Sequence, residues 1–261
     1  MTLSLSLRRV LRLSRWNVVL LSRNRLTLFY AAILPLLPLV LLVVGERGSE
    51  TAGANAINTV FLTIVLFPVY YNLLSQVVNR RDELVLKRMR TGETRDGELV
   101  ASIALPGVVI ALVLGAVVVP IAWALGTRLP VNPVLYAMAV VGAVVMFTAL
   151  AYWTAAWTRS AESAQLTSLP IIILASAGPL TISIPEMSDA LRSILELTPG
   201  AAMAELVRIG WFGLDGPAAQ ETTLSFADTW REGGRPLTVI ASWTAIGFTL
   251  ARRSMRWEPR V

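Results

Sequence analysis

The side chains able to do chemistry are gathered in one stretch, Arg80 to Glu98, RRDELVLKRMRTGETRDGE, which holds six basic and five acidic residues in nineteen. Ala56 to Val78 before it and Leu99 to Leu125 after it contain no ionisable side chain. Glu83 and Lys87 stand four apart in the order that favours a helical ion pair, and Arg80, Glu83, Lys87 and Arg90 fall on one helical face. Val85, Leu86 and Met89 fall on the other. The spacing predicts a short amphipathic helix pinned between two membrane spans and lying along the inner surface. Thr91-Gly92 closes it, since glycine tolerates the left-handed conformation of a helix end.

The rest of the chain excludes most catalytic chemistry. It has no cysteine and no histidine, which removes disulfides, thiolate nucleophiles, cysteine metal sites and the usual near-neutral proton switch. No GxxxxGK[ST] stretch is present to cradle ATP phosphates. No apolar run carries Asp, Glu, Lys, Arg or His, the groups that ion-coupled carriers and intramembrane aspartyl or metal proteases place at membrane depth. A serine-based intramembrane site would want a histidine partner. No catalytic residue, metal ligand or cofactor site is expected, and energy for uphill movement has to come from another chain.

The elements that position the charged stretch are membrane helices. With 261 residues, 55% of them hydrophobic and 15% charged, and a mean hydropathy of +0.63, the chain reads as a polytopic, all-α membrane protein forming one transmembrane domain over residues 1–261. Its net charge of +6 lies beside the apolar runs, which assigns the cations to the membrane and not to nucleic acid. Residues 1–26 are expected to form a basic interfacial helix. Six arginines (8, 9, 12, 15, 23 and 25) and no acid occur there, with Leu3, Leu7, Leu11, Val18 and Leu21 on one side and Arg8, Arg12 and Arg15 opposite. Such a helix is held by buried apolar area and anionic lipid; an organelle transit peptide shares the composition.

Six spans of membrane-crossing length follow, at Thr27 to Val44, Ala56 to Val78, Leu99 to Leu125, Pro133 to Trp157, Leu166 to Ile184 and Leu237 to Ala251. With both termini cytoplasmic, the inside segments hold seventeen basic residues and the outside segments six, as the positive-inside rule requires. This places the chain in a cell inner or plasma membrane. Prolines 35, 38, 68, 106, 120, 170 and 179 each free a carbonyl, so their faces should meet other helices or a cavity. Pro170 with Gly178-Pro179 suggests a discontinuous fifth span. Residues 185–236 are expected outside, as two short helices at or dipping into the surface, capped between them by Thr198-Pro199. Trp211 and Phe212 would sit at headgroup level, and Gly213 to Arg235 would be an exposed loop. Residues 237–261 are the sixth span and a cytoplasmic tail.

LKRMRTG after the second span, preceded by the acidic pair Asp82-Glu83, resembles the cytoplasmic loop of type-2 ABC-transporter permeases, the drug, antibiotic and polysaccharide exporters. The layout of the whole chain is similar too: basic amphipathic start, six spans, charged helix after the second, helical hairpin before the sixth. Where the family often has a glycine after the acidic element and a Thr-Pro after the basic run, this chain has Leu84 and Thr91-Gly92-Glu93. The resemblance implies that Asp82, Glu83, Lys87, Arg88 and Arg90 couple the permease to a cytoplasmic ATP-binding subunit, present in two copies. It also implies a second permease copy, with a pathway between the copies bordered by the second and fifth spans.

Polar and aromatic residues inside spans are the candidates for contact with cargo: Asn58, Thr63, Tyr70, Tyr71, Asn72 and Gln76 in the second, Tyr152, Trp153 and Trp157 in the fourth. Most such residues in bundles serve as interhelical glue. The family's pathway favours Asn58, Phe61 and Thr63 with Thr167 and Ile171, and a hydrophobic or amphipathic cargo suits a cavity without charge. Two other classes fit the same residues: an ATP-independent channel or carrier, and a membrane anchor for a partner protein. Import is compatible with the layout as well.

Overall fold

The computed structural model describes residues 6–44, 50–82, 96–160, 162–178, 187–216 and 222–254. Glu83, Lys87, Arg88 and Arg90 lie outside the described residues, as does the side chain of Asp82. The described chain is mostly helical, with a single two-stranded ladder.

Helix α1 (Leu7–Arg23) has three faces. Val10, Ser14 and Asn17 are buried against the protein, Leu11 and Val18 are exposed, and Arg8, Arg12 and Arg15 form an exposed basic stripe beside them. The apolar and basic faces suit a membrane surface. The third face carries polar contacts that amphipathicity alone does not announce.

The first apolar segment is broken. It runs through α2 (Arg25–Leu28), a π turn (Phe29–Ile33), a 3₁₀ stretch (Leu34–Val40) and α3 (Leu41–Val44). Pro35 and Pro38 sit in the 3₁₀ stretch and cannot donate to an α-helical ladder. Thr63 Oγ1 donates to the Pro35 carbonyl at 2.9 Å, fixing this segment to its neighbour.

That neighbour is one long helix: α4 (Glu50–Ile64), a π stretch (Val65–Tyr71) around Pro68, and α5 (Asn72–Asp82). Next come α6 (Asp96–Ala124), α7 (Pro133–Trp157) and α8 (Ser163–Ala175). Among the described residues three helices are long and apolar enough to cross a membrane, Glu50–Arg81, Gly97–Ala124 and Pro133–Trp157; Phe29–Val44 and Ser163–Ala175 are shorter apolar helices. The last part of the expected fifth span, residues 179–184, lies outside the described residues.

α7 is the axis of the bundle. The Asn132 side chain caps it by accepting from Leu135 N at 3.0 Å, with Pro133 in the first turn. Tyr136, Phe147, Leu150 and Tyr152 along it are all buried. α5, α6, α8 and the second helix of the hairpin described next pack around it.

After α8, helix α9 (Asp189–Glu196) is followed by α10 (Pro199–Val207) and a π turn (Arg208–Phe212). Thr198 caps α10 as its sequence indicated, accepting from Ala201 N at 3.3 Å. α10 is buried throughout because its start is small: a Cβ on Gly200 would lie 1.9 Å from the Ala175 carbonyl oxygen, so only glycine allows this approach to α8.

Two expectations are corrected here. Trp211 and Phe212 do not face outward as surface anchors: Trp211 is 0% exposed, its ring 4.9 Å from Tyr136 and its Nε1 donating to the Arg128 carbonyl, while Phe212 stacks on it. The indole thus joins the core and still satisfies its N–H. Residues 213–235 are not a plain loop either. Gly213, at φ 62°, turns the chain into β1 (Leu214–Asp215), which pairs antiparallel with β2 (Thr222–Thr223). A Ser225/Asp228 capping box then starts α11 (Phe226–Glu232), followed by α12 (Gly234–Ser254), which packs along α7.

Pro106 in α6 has no N–H to offer the Ser102 carbonyl, and α1 supplies the replacement: Asn17 Nδ2 donates to it at 2.7 Å and Ser14 Oγ at 3.0 Å. A double-mutant cycle tests this. Asn17→Leu should cost about 1–2 kcal/mol of stability in the native background. It should cost less when Pro106→Ala has restored an internal donor, with a coupling of roughly 0.5–1 kcal/mol. Additive melting shifts for the two substitutions in detergent would contradict the assignment.

Candidate functional site

Arg81 and Glu98 stand near the two ends of the charged stretch, and both side chains are buried, at 0% and 1% exposure. They do not meet each other in any observed ion pair; each is tied to a different helix. Arg81 Nη1 donates to the Ala155 carbonyl at 2.9 Å, and Nη2 donates to the carbonyls of Thr158 and, at 3.5 Å, Arg159. These are the orphan acceptors at the carboxyl end of α7, where a cation also meets the negative end of the helix dipole. Glu98 stands in the first turn of α6, where an anion is favoured. It accepts from Ser6 N at 2.8 Å and lies 3.8 Å from Arg9 of α1.

A hydrogen-bonded ladder joins these feet. Asn72 Nδ2 donates to the Pro68 carbonyl at 3.2 Å, Gln76 Nε2 to Asn72 Oδ1 at 2.9 Å, and Arg80 Nη2 to Gln76 Oε1 at 3.1 Å. Arg80 also reaches Asn17 Oδ1 at 2.7 Å, and Asn17 holds the Ser102 carbonyl. Asn72 and Gln76, singled out as polar residues within a span, are thus bonded within the protomer. Arg81, Glu98 and Asn17 were not singled out. Helical spacing offers one signal for Arg81, since it falls off the face shared by Arg80, Glu83, Lys87 and Arg90.

The five pathway candidates do not share one face. Asn58 in α4 is 4% exposed, and neither Oδ1 nor Nδ2 has a hydrogen-bond partner among the described residues. Phe61 is buried edge-on against Tyr136, with ring centroids 5.5 Å apart. Thr63 bonds the first apolar segment. Thr167 shares a 2.8 Å hydrogen bond with Thr158 at the turn held by Arg81. Ile171 is in the core, whereas Leu166 and Ile173 on the same helix are 72% and 68% exposed. Of the other candidates, Tyr70 OH donates to Thr154 Oγ1 at 3.0 Å and Tyr152 OH to the Val100 carbonyl, both tying helix to helix.

At the opposite end of the bundle, α9, α10 and α12 carry a charged cluster. Arg235 pairs with Glu196 at 2.7 Å, and the buried Arg208 donates to the Gly216 carbonyl at 2.9 Å. Burial pushes the Glu205 carboxyl up to about 7; Glu196 and Asp215 add to the rise, and Arg235 and Arg208 oppose it. A carboxyl raised in the folded state favours the protonated fold. Stability from this group is full below about pH 4.5 and falls as pH rises through about 7, by roughly 1–3 kcal/mol. Glu205→Gln should flatten that segment of the melting-temperature profile between pH 5 and 8; an unchanged slope would contradict the assignment.

Comparison with known proteins bears on which machine these feet serve. No curated protein matches the chain closely enough to count as a relative. The family model described as ABC-2 type transporter matches residues 3–212, which takes in α1, the helices on both sides of the charged stretch, α7, α8 and the hairpin. Members of that family form the membrane permease component of ABC transporters and normally work with a nucleotide-binding subunit. With most of its length matched, this membrane-embedded chain belongs to the ABC-2 type transporter family, as a transport component that is not itself catalytic.

Proposed function

We propose that the chain is the permease subunit of an ATP-driven exporter, working as one of two copies with two ATP-binding subunits carried on other chains. Its cargo is a hydrophobic or amphipathic drug, antibiotic or lipid-like molecule. In this reading residues 27–44, 56–78, 99–125, 133–157, 166–184 and 237–251 cross the membrane with both termini cytoplasmic. α12, at 21 residues, is about 31 Å long, which matches the hydrocarbon thickness, although it is less apolar than the three helices named above. Asp82, Glu83, Lys87, Arg88 and Arg90 form the face that meets the ATPase. Asn58, Phe61, Thr63, Thr167 and Ile171 border the pathway, which requires the helices around Asn58, Phe61 and Ile171 to part during transport.

One observation carries this reading: the charged stretch is held at both ends by buried charges, each anchored to a different helix. A loop that is merely solvated needs no such footing, because burying a guanidinium and a carboxylate costs desolvation that only good partners offset. A loop that bears load does. The unpaired amide of Asn58, the exposed apolar stripe of α8 and the absence of charge in the spans support an uncharged cargo route and a second helical surface against α8.

Orientation is tested in this cysteine-free chain by single cysteines labelled with an impermeant thiol reagent. Asp215→Cys should label from outside intact cells and Arg88→Cys only after the membrane is opened; labelling of position 88 from outside would overturn the layout.

Docking is tested by exchanging Glu83 and Lys87. The local pair stays nearly neutral, losing a few tenths of a kcal/mol for its weaker order. Each charge would now face the wrong partner on the ATPase, where like-charge juxtaposition costs several kcal/mol. The exchanged permease should insert normally, lose ATPase co-purification and fail to stimulate ATP hydrolysis. Normal assembly with normal transport would remove these residues from the interface.

A further inference from the structure

We propose that Arg81 is a positioning residue that makes the end of α5 and the α7–α8 turn a single moving unit, so that load entering the chain at Asp82 is delivered to α8. The inference rests on the reading that the segment beginning at Asp82 docks an ATPase.

The segment follows directly on a residue with a fully buried guanidinium. Arg81 holds three carbonyls from two sides of the helix end: Ala155 inside the last turn of α7, Thr158 at its cap, and Arg159 beyond it. A planar fork carries its donors on separate nitrogens and can reach acceptors spread around a helix end, whereas the three donors of an ammonium all leave one atom. The turn it grips is itself stiff. Thr158 Oγ1 donates to the Thr154 carbonyl at 2.8 Å and shares its hydrogen bond with Thr167 Oγ1. Ser163 Oγ accepts from Ser160 N at 2.9 Å and Arg159 N at 3.2 Å. A displacement of Arg81 therefore carries Thr158 with it, and through Thr167 it carries the first turn of α8.

The next bonded contact to the last turn of α7, Tyr70 to Thr154, comes from the end of the π stretch, two residues before α5 begins. α5 therefore lies between two contacts to that turn, Arg81 within it and Tyr70 just before it in irregular backbone. Glu98, the other foot of the charged stretch, bonds Ser6 and pairs with Arg9 of α1. Arg81 gives the stretch a bonded route to the start of α8, the helix whose outward face carries Leu166, Leu169 and Ile173; farther along, Ser168 of α8 also meets Tyr71 at 3.5 Å.

The test uses the complete permease with its ATPase, and Arg81→Met and Arg81→Lys. Spin labels go on Asn79→Cys and Glu162→Cys, both exposed, one on α5 and one in the turn. In the native background the two labels should give one narrow distance that is the same with and without ATP. Arg81→Met should broaden it, and should lower transport per ATP hydrolysed roughly tenfold while ATPase co-purification persists, a change within the usual range of coupling between sites. Arg81→Lys should fall between the two. A native label distance with native transport per ATP in Arg81→Met overturns the proposal; should that variant fail to insert, the same pair of native values in Arg81→Lys overturns it. If the native permease retains no ATPase at all, the docking reading fails, and the label distances alone still decide for or against the clamp.

Discussion

The carbonyl of Ser102 shows the constraint on which this structure depends. Hydrocarbon supplies no hydrogen bonds, so a backbone acceptor that a helix cannot satisfy internally must be met by a side chain from a neighbour. Pro106 removes the donor that Ser102 would have used, and Ser14 and Asn17 of α1 supply two in its place. The same logic places Thr63 against Pro35 and Asn72 against Pro68. It also places Arg81 against the last carbonyls of α7. Helix breaks and helix ends are therefore the points at which the elements are fastened together.

This fastening makes the charged stretch part of the bundle's mechanics. One foot is locked to the turn between α7 and α8, the other to α1 and the start of α6. Between them the Asn72–Gln76–Arg80 ladder runs along α5 and ends on Asn17, so α1 touches both feet. A basic helix that might be read as a simple lipid anchor is thus also a brace. Its exposed Leu11, Val18, Arg8, Arg12 and Arg15 remain available to the membrane because the bracing uses the third face.

Which parts were legible in the sequence follows from the same physics. Long uncharged runs broken by charge are a strong signal, and α4 to α7 fall close to the expected ranges, as does the Thr198-Pro199 cap. Facing is a weak signal in a membrane, since lipid and core are equally apolar: Val141 and Val145 of α7 are exposed while Ala143 and Phe147 between and beyond them are buried. Trp211 illustrates the cost. An aromatic at a span end reads as a headgroup anchor, and only the small residues of α10, which let the hairpin sink against α7 and α8, reveal that it belongs to the core. Arg81 was hidden for a different reason. Among six basic residues in one stretch, burial cannot be read from charge, and the carbonyls that justify it lie more than seventy positions away.

Two kinds of buried polar group remain. Glu98, Asn17, Asn72 and both Nη atoms of Arg81 are bonded within the protomer at the end that carries the charged stretch, where one buried donor, Trp157 Nε1, has no partner among the described residues. Asn58, about 12 Å along α4 from Glu50, is buried with no partner among the described residues. Leaving such an amide unmet costs about 1–3 kcal/mol. An alanine or leucine at this position would avoid that cost, and the surrounding Ala54, Ile57 and Phe61 show that the local packing is apolar. The cost is recovered only when a group from beyond this packing reaches the amide: water, cargo, or a second copy of the chain. Fully bonded polar groups hold an arrangement, and an unbonded one favours leaving it, which is why the proposed mechanism has the end held by Arg81 transmit motion and the helix around Asn58 undergo it.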